Sequence, residues 1–346
     1  MHGLALVSFI VASLIEQLFS APVVFHWRAE DAVIEAVSIA PDGRTVAFWC
    51  EGLHGAEAKC FAQRADEAAA PIFRGGALDA ADRLLQRPST GVRHFSMKGG
   101  RVGWKNGVPL FLVACHTGAI TGVCEQVLGA EPRVVGSATS PLDSRPTIVG
   151  ETVIWNDVEM SQTVFRAPDL RIDVCCAGEF AAYAAAPAAA GDVLLVYTGA
   201  GRPADLRAAL LGADLHVKQD AVLVRGIPAP TSIEAAATAD RTVVIWSGGG
   251  VFAAIKGRVV KLSDTGERPV IATDGTRVLA AWLERDRVMT VELSRGDLPR
   301  SLLALDASVD APFLALDWSP SAGFVAHWRS RSTRPDEIVV AARPVP

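Results

Sequence analysis

The sequence lacks the features that mark a membrane-spanning or a disordered chain. Its 346 residues contain no apolar run of about 20 residues, the length that a transmembrane helix needs. Half of the residues are hydrophobic and 21% are charged, whereas a disordered chain would have too little apolar content to offset the entropy of ordering. The net charge of -5 provides no basic face for nucleic acid. We therefore predict a globular protein without a stable membrane span and without a nucleic-acid partner.

The common linear signatures of catalysis and metal binding are absent as well. There is no Gly-x-Ser-x-Gly turn, no Cys-x-x-Cys pair and no His-x-x-x-His spacing. The seven histidines are scattered singly. The carboxylate pairs Asp157 with Glu159 and Asp306 with Asp310 are interpreted as solvated loop charges. The sequence thus predicts no catalytic, cofactor-binding or metal-ligating residue.

One segment has the glycine spacing of a dinucleotide-binding turn. Gly199, Gly201 and Ala204 follow an apolar run, and Asp220 lies 19 residues beyond Gly201, roughly where a ribose-binding acid would sit. However, Pro203 removes an amide at the turn, and the following sequence is β-like rather than alternating strand and helix. We therefore interpret the segment as part of a β-sheet and predict no cofactor.

The first residues resemble a secretory leader. Leu4 to Ile15 form an apolar run of twelve residues, too short to span a bilayer, and Phe19-Ser20-Ala21 supplies a rough small-residue exit. We predict a signal peptide or short apolar leader in residues 1–21 and a periplasmic or extracellular location. An uncleaved anchor and a buried core segment are the alternatives.

The cysteines favour an exported protein too. Cys50 and Cys60 lie ten residues apart, and Cys115 and Cys124 lie nine apart, each pair flanking a turn-rich loop between β-like runs. Two strands joined in this way can bring their Cβ atoms to disulfide distance, so we predict both pairs as loop-closing bridges. Cys175 and Cys176 are adjacent, and they form either a vicinal disulfide or two unreactive thiols.

A short pattern recurs seven times along the rest of the chain. It consists of a turn, then three to five apolar residues, then an aromatic residue, and the aromatic positions are Trp49, Trp104, Trp155, Tyr197, Trp246, Trp282 and Trp328. These positions are about 46 residues apart on average, which is the length of a four-stranded propeller blade. Asp-Gly and Gly-Gly turns followed by Val-rich and Ile-rich runs are typical of hairpins with one buried strand.

The spacing therefore predicts an all-β fold, a single β-propeller in residues 22–346. We expect seven blades of four antiparallel strands, with six blades as the alternative count and a β-sandwich as the alternative architecture. Val23 to Trp27 precede the first copy and look like a strand without a blade. Since a ring of sheets has no free edge only if its ends join, we expect this strand to pair beside the blade that contains Trp328 and Ile338 to Val340.

Two propeller families resemble parts of the sequence. The run from Ser38 to Phe48, with its Pro41-Asp42-Gly43 turn, resembles the repeat of the TolB-type bacterial propellers, and Trp318-Ser319-Pro320 is similar to it. Residues 146–155 and 269–282 look more like the sialidase-type propeller strand, which has a Pro, a Gly-containing turn and a Val-rich strand ending in Trp. The resemblance implies a ring of six to eight blades, and the TolB type implies protein contacts in the periplasm. The Asp-box turns of sialidases are absent, so no catalytic residue follows from the resemblance.

Two functions remain open at this point. The first is a noncatalytic, monomeric binding scaffold that presents loops to a protein or glycan partner. The second is a sialidase-like glycoside hydrolase whose carboxylates come from different blades and leave no linear motif. Two carboxylates and two arginines clustered at one mouth of the channel would favour the enzyme, and a mouth lined by Ala, Gly and Ser would favour the scaffold.

Overall fold

A computed structural model describes most of the predicted propeller. The residues it describes are 23–28, 33–51, 59–64, 70–72, 101–117, 120–130, 132–138, 146–160, 162–178, 181–293, 303–306, 309–330 and 337–345. Within these ranges the chain forms 28 β-strands in seven four-stranded antiparallel sheets. No helix in these ranges is long and apolar enough to cross a membrane. The predicted leader, residues 1–21, lies outside the described residues and stays a prediction.

The first four sheets follow one another along the chain, and we number them as blades 1 to 4. Blade 1 consists of β2 (Val33–Ile39), β3 (Thr45–Glu51), β4 (Lys59–Arg64) and β5 (Ala70–Ile72). Blade 2 consists of β6 (Arg101–Lys105), β7 (Val108–Thr117), β8 (Ile120–Val127) and β9 (Arg133–Ser137). Blade 3 consists of β10 (Thr147–Val149), β11 (Thr152–Glu159), β12 (Gln162–Ala167) and β13 (Leu170–Ile172). Blade 4 consists of β14 (Tyr183–Pro187), β15 (Val193–Thr198), β16 (Ala204–Leu211) and β17 (Val217–Ile227).

The remaining three sheets complete the ring. Blade 5 consists of β18 (Ser232–Ala237), β19 (Thr242–Ser247), β20 (Val251–Ile255) and β21 (Arg258–Ser263). Blade 6 consists of β22 (Glu267–Thr273), β23 (Val278–Glu284), β24 (Arg287–Glu292) and β25 (Leu303–Asp306). Blade 7 consists of β26 (Val309–Ser319), β27 (Gly323–Ser330), β28 (Glu337–Val345) and, from the other end of the chain, β1 (Val23–Arg28). The predicted seven blades are confirmed.

The closing strand also lies where we expect it. β1 pairs antiparallel with β28, so that Phe25 is opposite Val340 and Trp27 is opposite Ile338. The first strand of each blade contacts the first strand of the next blade all the way round, including β26 with β2. The sheets therefore form a closed ring with these first strands innermost.

Apolar clusters hold each pair of neighbouring blades together. Between blades 1 and 2, the rings of Phe48 and Phe111 meet edge to face with centroids 5.5 Å apart. Comparable clusters of buried side chains fill every other seam of the described ring, including the seam between blades 7 and 1, where Trp49 and Val340 pack. Because the clusters join residues from separate blades, burial of apolar area favours the complete ring over isolated sheets.

The second strand of each blade is the most buried one. Each has at least five consecutive buried residues, because both faces of this strand lie against a neighbouring blade. Six of the seven repeat aromatics lie on second strands, all with exposures of 0 to 3%: Trp49, Trp155, Tyr197, Trp246, Trp282 and Trp328. The recurring pattern thus marks equivalent positions in six blades.

Trp104 is the repeat aromatic that does not lie on a second strand. It lies on β6, the innermost strand of blade 2, and is only partly buried. The physical reason is the turn that follows it, where Asn106 and Gly107 both have positive φ (52° and 75°), as a tight hairpin requires. The second strand of blade 2 therefore starts after Trp104, and its buried residues include Phe111 and Leu112.

The predicted Cys50–Cys60 bridge is present. The two cysteines lie opposite each other on β3 and β4 and form a disulfide buried in the seam between blades 1 and 2. Cys124 on β8 is also disulfide-bonded. The side chain of Cys115 lies outside the described residues, so the Cys115–Cys124 bridge stays a prediction.

Candidate functional site

A buried polar cluster lies at the seam where blade 7 meets blade 1. Asp317 is on β26, the inner strand, and His327 is on β27, while Ser38 and Thr45 come from blade 1; we call these four residues the closure cluster. Thr45 Oγ1 lies 3.3 Å from His327 Nε2, and the Ser38 hydroxyl hydrogen-bonds the Asp317 carboxyl. Ser38 Oγ also accepts a hydrogen bond of 3.2 Å from Trp104 Nε1, which extends the contacts to blade 2.

Burial shifts the pKa of both the acid and the imidazole of this cluster toward their neutral forms, although 29% of the Asp317 side chain is exposed. Loss of solvent raises the pKa of Asp317 to about 7, against the lowering effect of the Ser38 hydrogen bond. Loss of solvent lowers the pKa of His327 to about 3. Asp317 Oδ2 and His327 Nδ1 lie 3.8 Å apart, too far for a hydrogen bond, and both atoms are buried without a hydrogen-bond partner among the described residues.

The closure cluster contains an acid, a histidine and a hydroxyl in the order found in catalytic triads of hydrolases. Unlike a catalytic triad, it is closed to a substrate. An acid, a histidine and a hydroxyl follow one another from Asp317 to Thr45. However, His327 is completely buried and Thr45 is 5% exposed, so a substrate cannot reach the hydroxyl. The cluster was not predicted, because each histidine stands alone in the sequence. The signal that was available is the position of His327 inside an apolar second strand.

A second polar cluster lies where blade 4 faces blade 3. Arg207 on β16 donates to Asp220 Oδ1 on β17 at 3.0 Å, and Tyr197 on β15 donates to Asp220 Oδ2 at 2.6 Å. We call Tyr197, Arg207 and Asp220 the blade-4 cluster. Burial and the neighbouring Asp220 carboxylate raise the pKa of Tyr197, so the phenol stays protonated and can donate. Two charges and one hydroxyl therefore satisfy one another with little solvent contact.

The blade-4 segment is part of a β-sheet, as the sequence analysis predicts, and it bears on two features of the sequence. Asp220, which lies at the spacing of a ribose-binding acid, uses its carboxylate to bind Arg207, Tyr197 and the backbone N–H of Cys175. The segment that would be the helix of a dinucleotide fold is the strand β16. Cys175 and Cys176 form a vicinal disulfide, which decides between the two states that the sequence left open.

Asp157 and Glu159 are not solvated loop charges as expected. Both lie on β11, and Asp157 is 1% exposed. Arg166 on the adjacent strand β12 binds both carboxylates, with its Nε 3.0 Å from Asp157 Oδ2. The linear spacing of Asp157 and Glu159 does not indicate the antiparallel partner strand, and therefore does not indicate the opposite charge of Arg166. The side chains of Asp306 and Asp310 lie outside the described residues, although their backbones belong to β25 and β26.

A groove of about 500 Å³ lies between blades 4 and 5, on the face where first strands turn into second strands. Its floor is aliphatic and includes Leu194, Leu210, Leu223 and Val244. Its rim carries Thr238, Asp240, Arg241 and Lys256 from two turns of blade 5. Arg241 binds Asp240 at 2.8 Å, and the hydrogen bonds from Arg241 and Thr238 lower the pKa of Asp240 to about 2. No sequence pattern indicates the groove, because its walls come from six different strands.

Two carboxylates on the described inner strands have a raised pKa, Asp317 and Glu234. Besides Asp317, burial raises the pKa of Glu234 on β18, and the charge of Arg101 on β6 acts in the opposite direction. Their neighbours on the inner strands are mostly small, as in Tyr183-Ala-Ala-Ala-Pro187 of β14 and Ala235-Ala-Ala237 of β18. In the part of the chain that the structure describes, no three His, Cys, Asp or Glu residues are grouped so that they could hold a metal ion.

Comparisons with known proteins agree with the fold. No family model matches the sequence, and no curated protein matches it. The chain is similar to the structure of a puromycin-hydrolysing peptidase of Mycobacterium tuberculosis, with a TM-score of 0.57 and 12% identity over 88% of this chain and 50% of that one. The chain therefore spans about half the length of the peptidase.

Two further structures are more distant. A six-bladed fucose-binding lectin of Aleuria aurantia aligns with a TM-score of 0.39 and 9% identity, over 67% of this chain and 87% of the lectin. A subtype N10 neuraminidase-like protein of a little yellow-shouldered bat virus aligns with a TM-score of 0.45 and 7% identity, over 70% of this chain and 94% of that one. These two likenesses carry no argument about function, and the identity to the peptidase shows the fold alone. The class that fold and comparisons define is a seven-bladed β-propeller.

Proposed function

We propose that the protein is a noncatalytic, secreted or periplasmic binding propeller, and that the groove between blades 4 and 5 binds a peptide segment of a partner protein. The observation that carries this proposal is the groove itself, with its aliphatic floor and charged rim. The buried Cys50–Cys60 disulfide supports an oxidising compartment, and the Pro41-Asp42-Gly43 turn of the TolB type supports a protein partner in the periplasm.

The floor suits one branched aliphatic side chain. Leu194, Leu210 and Val244 present apolar surface to a cavity of about 500 Å³, which is open to solvent along the rim. Burying a Leu, Ile or Val side chain there would contribute about 1.5 to 3 kcal/mol. Such an anchor needs main-chain or polar contacts beside it, and the exposed turns of blade 5 offer them.

The rim suits a carboxylate next to that side chain. Asp240 and Arg241 bind each other and neutralise their charges, which leaves the Lys256 ammonium as the additional charge on the rim. The favoured occupant is therefore an extended peptide with an aliphatic residue followed closely by Asp or Glu.

A glycan fits this groove less well. Sugar rings bind through their apolar faces to aromatic side chains and through their hydroxyls to many polar groups. The described lining of the groove contains no aromatic residue, and its floor has no polar side chain. We therefore argue for a peptide, with glycan binding as an outcome that would contradict the proposal.

The test is selection from a phage-displayed peptide library on the folded, full-length protein. We expect enrichment of peptides with Leu, Ile or Val near an acidic residue. Leu223→Asp, at the floor, should weaken binding of a selected peptide at least tenfold. Val259→Asp is the matched control, because Val259 is an exposed residue of blade 5 that does not line the groove. Equal loss in both variants, or binders found only on a glycan array, would overturn the proposal.

The enzyme hypothesis is tested separately. Glu234 and Asp317 lie on the inner strands of blades 5 and 7, and burial raises the pKa of both, as the general acid of a glycosidase requires. We expect no turnover of a panel of aryl glycosides by the wild-type protein. Hydrolysis that is lost in Glu234→Gln and Asp317→Asn would establish the glycosidase instead.

A further inference from the structure

We propose that the Cys175–Cys176 disulfide is a thiol–disulfide exchange site, which accepts two electrons from the thiols of a partner protein or of a small thiol such as glutathione. This proposal does not depend on the peptide groove, which lies at the next seam of the ring on the turns of blades 4 and 5. It rests on the exposure of the two cysteine residues and on the hydrogen bonds that hold the surrounding backbone.

The two disulfides with described side chains differ in accessibility. Cys175 and Cys176 are both exposed, on the connection between β13 and β14. Cys50 and Cys60 are 0 and 2% exposed in the seam between blades 1 and 2. Because a thiolate must reach a sulfur atom along the S–S axis to attack it, only the vicinal bond of these two is open to exchange in the folded protein.

Both backbone polar groups of Cys175, its N–H and its carbonyl, are bound to side chains of blade 4. Its N–H donates to Asp220 Oδ2 at 2.8 Å, and its carbonyl oxygen lies 2.7 Å from the hydroxyl oxygen of Tyr197, whose single proton is shared between this carbonyl and Asp220 Oδ2. Since Arg207 and the β-strands of blade 4 hold Asp220 and Tyr197 in place, this anchoring does not require the S–S bond.

The residues after Cys175 are anchored too. The Cys176 carbonyl accepts from the N–H of Ala200 at 2.9 Å, and the Gly178 N–H donates to the carbonyl of Thr198 at 3.0 Å. Ala177 forms an isolated β-bridge with Gly199. Reduction would therefore leave the two cysteines side by side on the surface, so that the same pair can form the disulfide again.

The charges around the site do not repel an incoming thiolate strongly. Asp220 is neutralised by Arg207 at 3.0 Å, and Asp173, just before the cysteines, binds Arg171 at 2.9 Å. Each nearby carboxylate thus has an arginine partner, which limits the negative potential that an anionic nucleophile meets.

The exchange proceeds in two balanced steps. A partner thiolate attacks Sγ of one cysteine, a mixed disulfide forms, and the other cysteine leaves as a thiolate that takes a proton from water. A second thiolate of the partner then attacks the partner's sulfur in the mixed disulfide and releases the first cysteine as a thiolate. The partner leaves oxidised as a disulfide, and Cys175 and Cys176 remain as a dithiol carrying the two electrons.

The first test is reduction of the folded full-length protein by glutathione or dithiothreitol, followed by alkylation with iodoacetamide and peptide mass spectrometry. We expect Cys175 and Cys176 to be alkylated at least tenfold faster than Cys50 and Cys60, while tryptophan fluorescence stays that of the folded protein. Alkylation of all four cysteines together, or alkylation of Cys175 and Cys176 only on unfolding, would overturn the proposal.

The second test follows the electrons. One equivalent of the wild-type protein should oxidise a synthetic peptide dithiol to its disulfide, whereas the Cys175→Ser/Cys176→Ser double variant should not. Because Cys175 and Cys176 are exposed, this variant is expected to fold, and its circular dichroism should match that of the wild type. Equal oxidation by both proteins would assign the reaction to other cysteines and refute the site.

Discussion

The closure cluster and the blade-4 cluster bury similar groups with opposite electrostatic outcomes. In the blade-4 cluster, Asp220 is charged and has a charged partner, Arg207, at 3.0 Å. In the closure cluster, Asp317 and His327 face each other at 3.8 Å, and burial shifts the pKa of each toward its neutral form. The difference teaches that a propeller seam tolerates a buried charge where a neighbouring strand supplies the opposite one, and otherwise tolerates only the neutral acid or base.

The largest expected effect comes from removing one charge of the paired cluster. Asp220→Ala leaves the Arg207 guanidinium, 15% exposed, without its carboxylate, and should lower the free energy of unfolding by about 3 to 5 kcal/mol. Asp317→Asn is the matched change at the other seam, where an amide of the same size replaces an acid whose pKa burial raises to about 7, and below pH 7 it should cost about 1 kcal/mol or less. Urea denaturation followed by tryptophan fluorescence measures both. Equal losses would mean that the two clusters do not differ in charge.

A pH series should separate the two titrating groups of the closure cluster. The folded-state pKa of Asp317 is raised from 3.8 to about 7, so the stability that this residue contributes is present below pH 3.8 and is lost as the pH rises to about 7. The folded-state pKa of His327 is lowered from 6.5 to about 3, so its contribution is present above pH 6.5 and is lost as the pH falls to about 3.

In the wild type, the pH dependences of the unfolding free energy that Asp317 and His327 cause oppose each other. A variant that keeps only one of the two residues should show only the pH dependence of that residue. Relative to the Asp317→Asn/His327→Gln double variant, His327→Gln should lose about 3 kcal/mol of unfolding free energy between pH 4 and pH 7. Asp317→Asn should lose a similar amount when the pH falls from 6.5 to 4. Slopes of the same sign in the two single variants would contradict the assignment of a neutral pair.

The smallest expected effects come from the hydroxyl groups. Tyr197→Phe removes the phenolic proton that Asp220 and the Cys175 carbonyl share but keeps the buried ring, and should cost about 1 kcal/mol. Thr45→Val removes the hydroxyl beside His327 and should cost a similar amount. If Tyr197→Phe were as costly as Asp220→Ala, the hydroxyl rather than the ion pair would hold the blade-4 cluster together.

Much of the fold could be predicted because its strongest signal is local. A turn, a buried second strand and an aromatic residue follow one another within a few positions, as in residues 240–246, and this unit repeats in six blades. Trp104 was misassigned because the aromatic residue of blade 2 comes before its hairpin turn rather than after the buried run. The pairing of β1 with β28 followed from the need to close the ring, not from any pattern in the two strands.

The candidate sites could not be predicted in the same way. Asp317 and Ser38 meet across the closure although they are separated by most of the sequence, and Arg207 meets Asp220 through strand pairing with register shifts. The groove floor combines β15, β16, β17 and β19. A sequence spacing carries information about a site only where one element supplies its residues, and here each site is shared by several strands or by two blades.

Blade 7 has a consequence for how the ring is made during translation. β1 leaves the ribosome before the other strands of the ring, yet its hydrogen-bonding partner β28 is the last strand to emerge. Until then, β1 has an unpaired edge, and six blades can stack while the ring is still open. A circular permutant cut in another interblade connection would make all of blade 7 from consecutive residues, and would move the late step of assembly to a different seam.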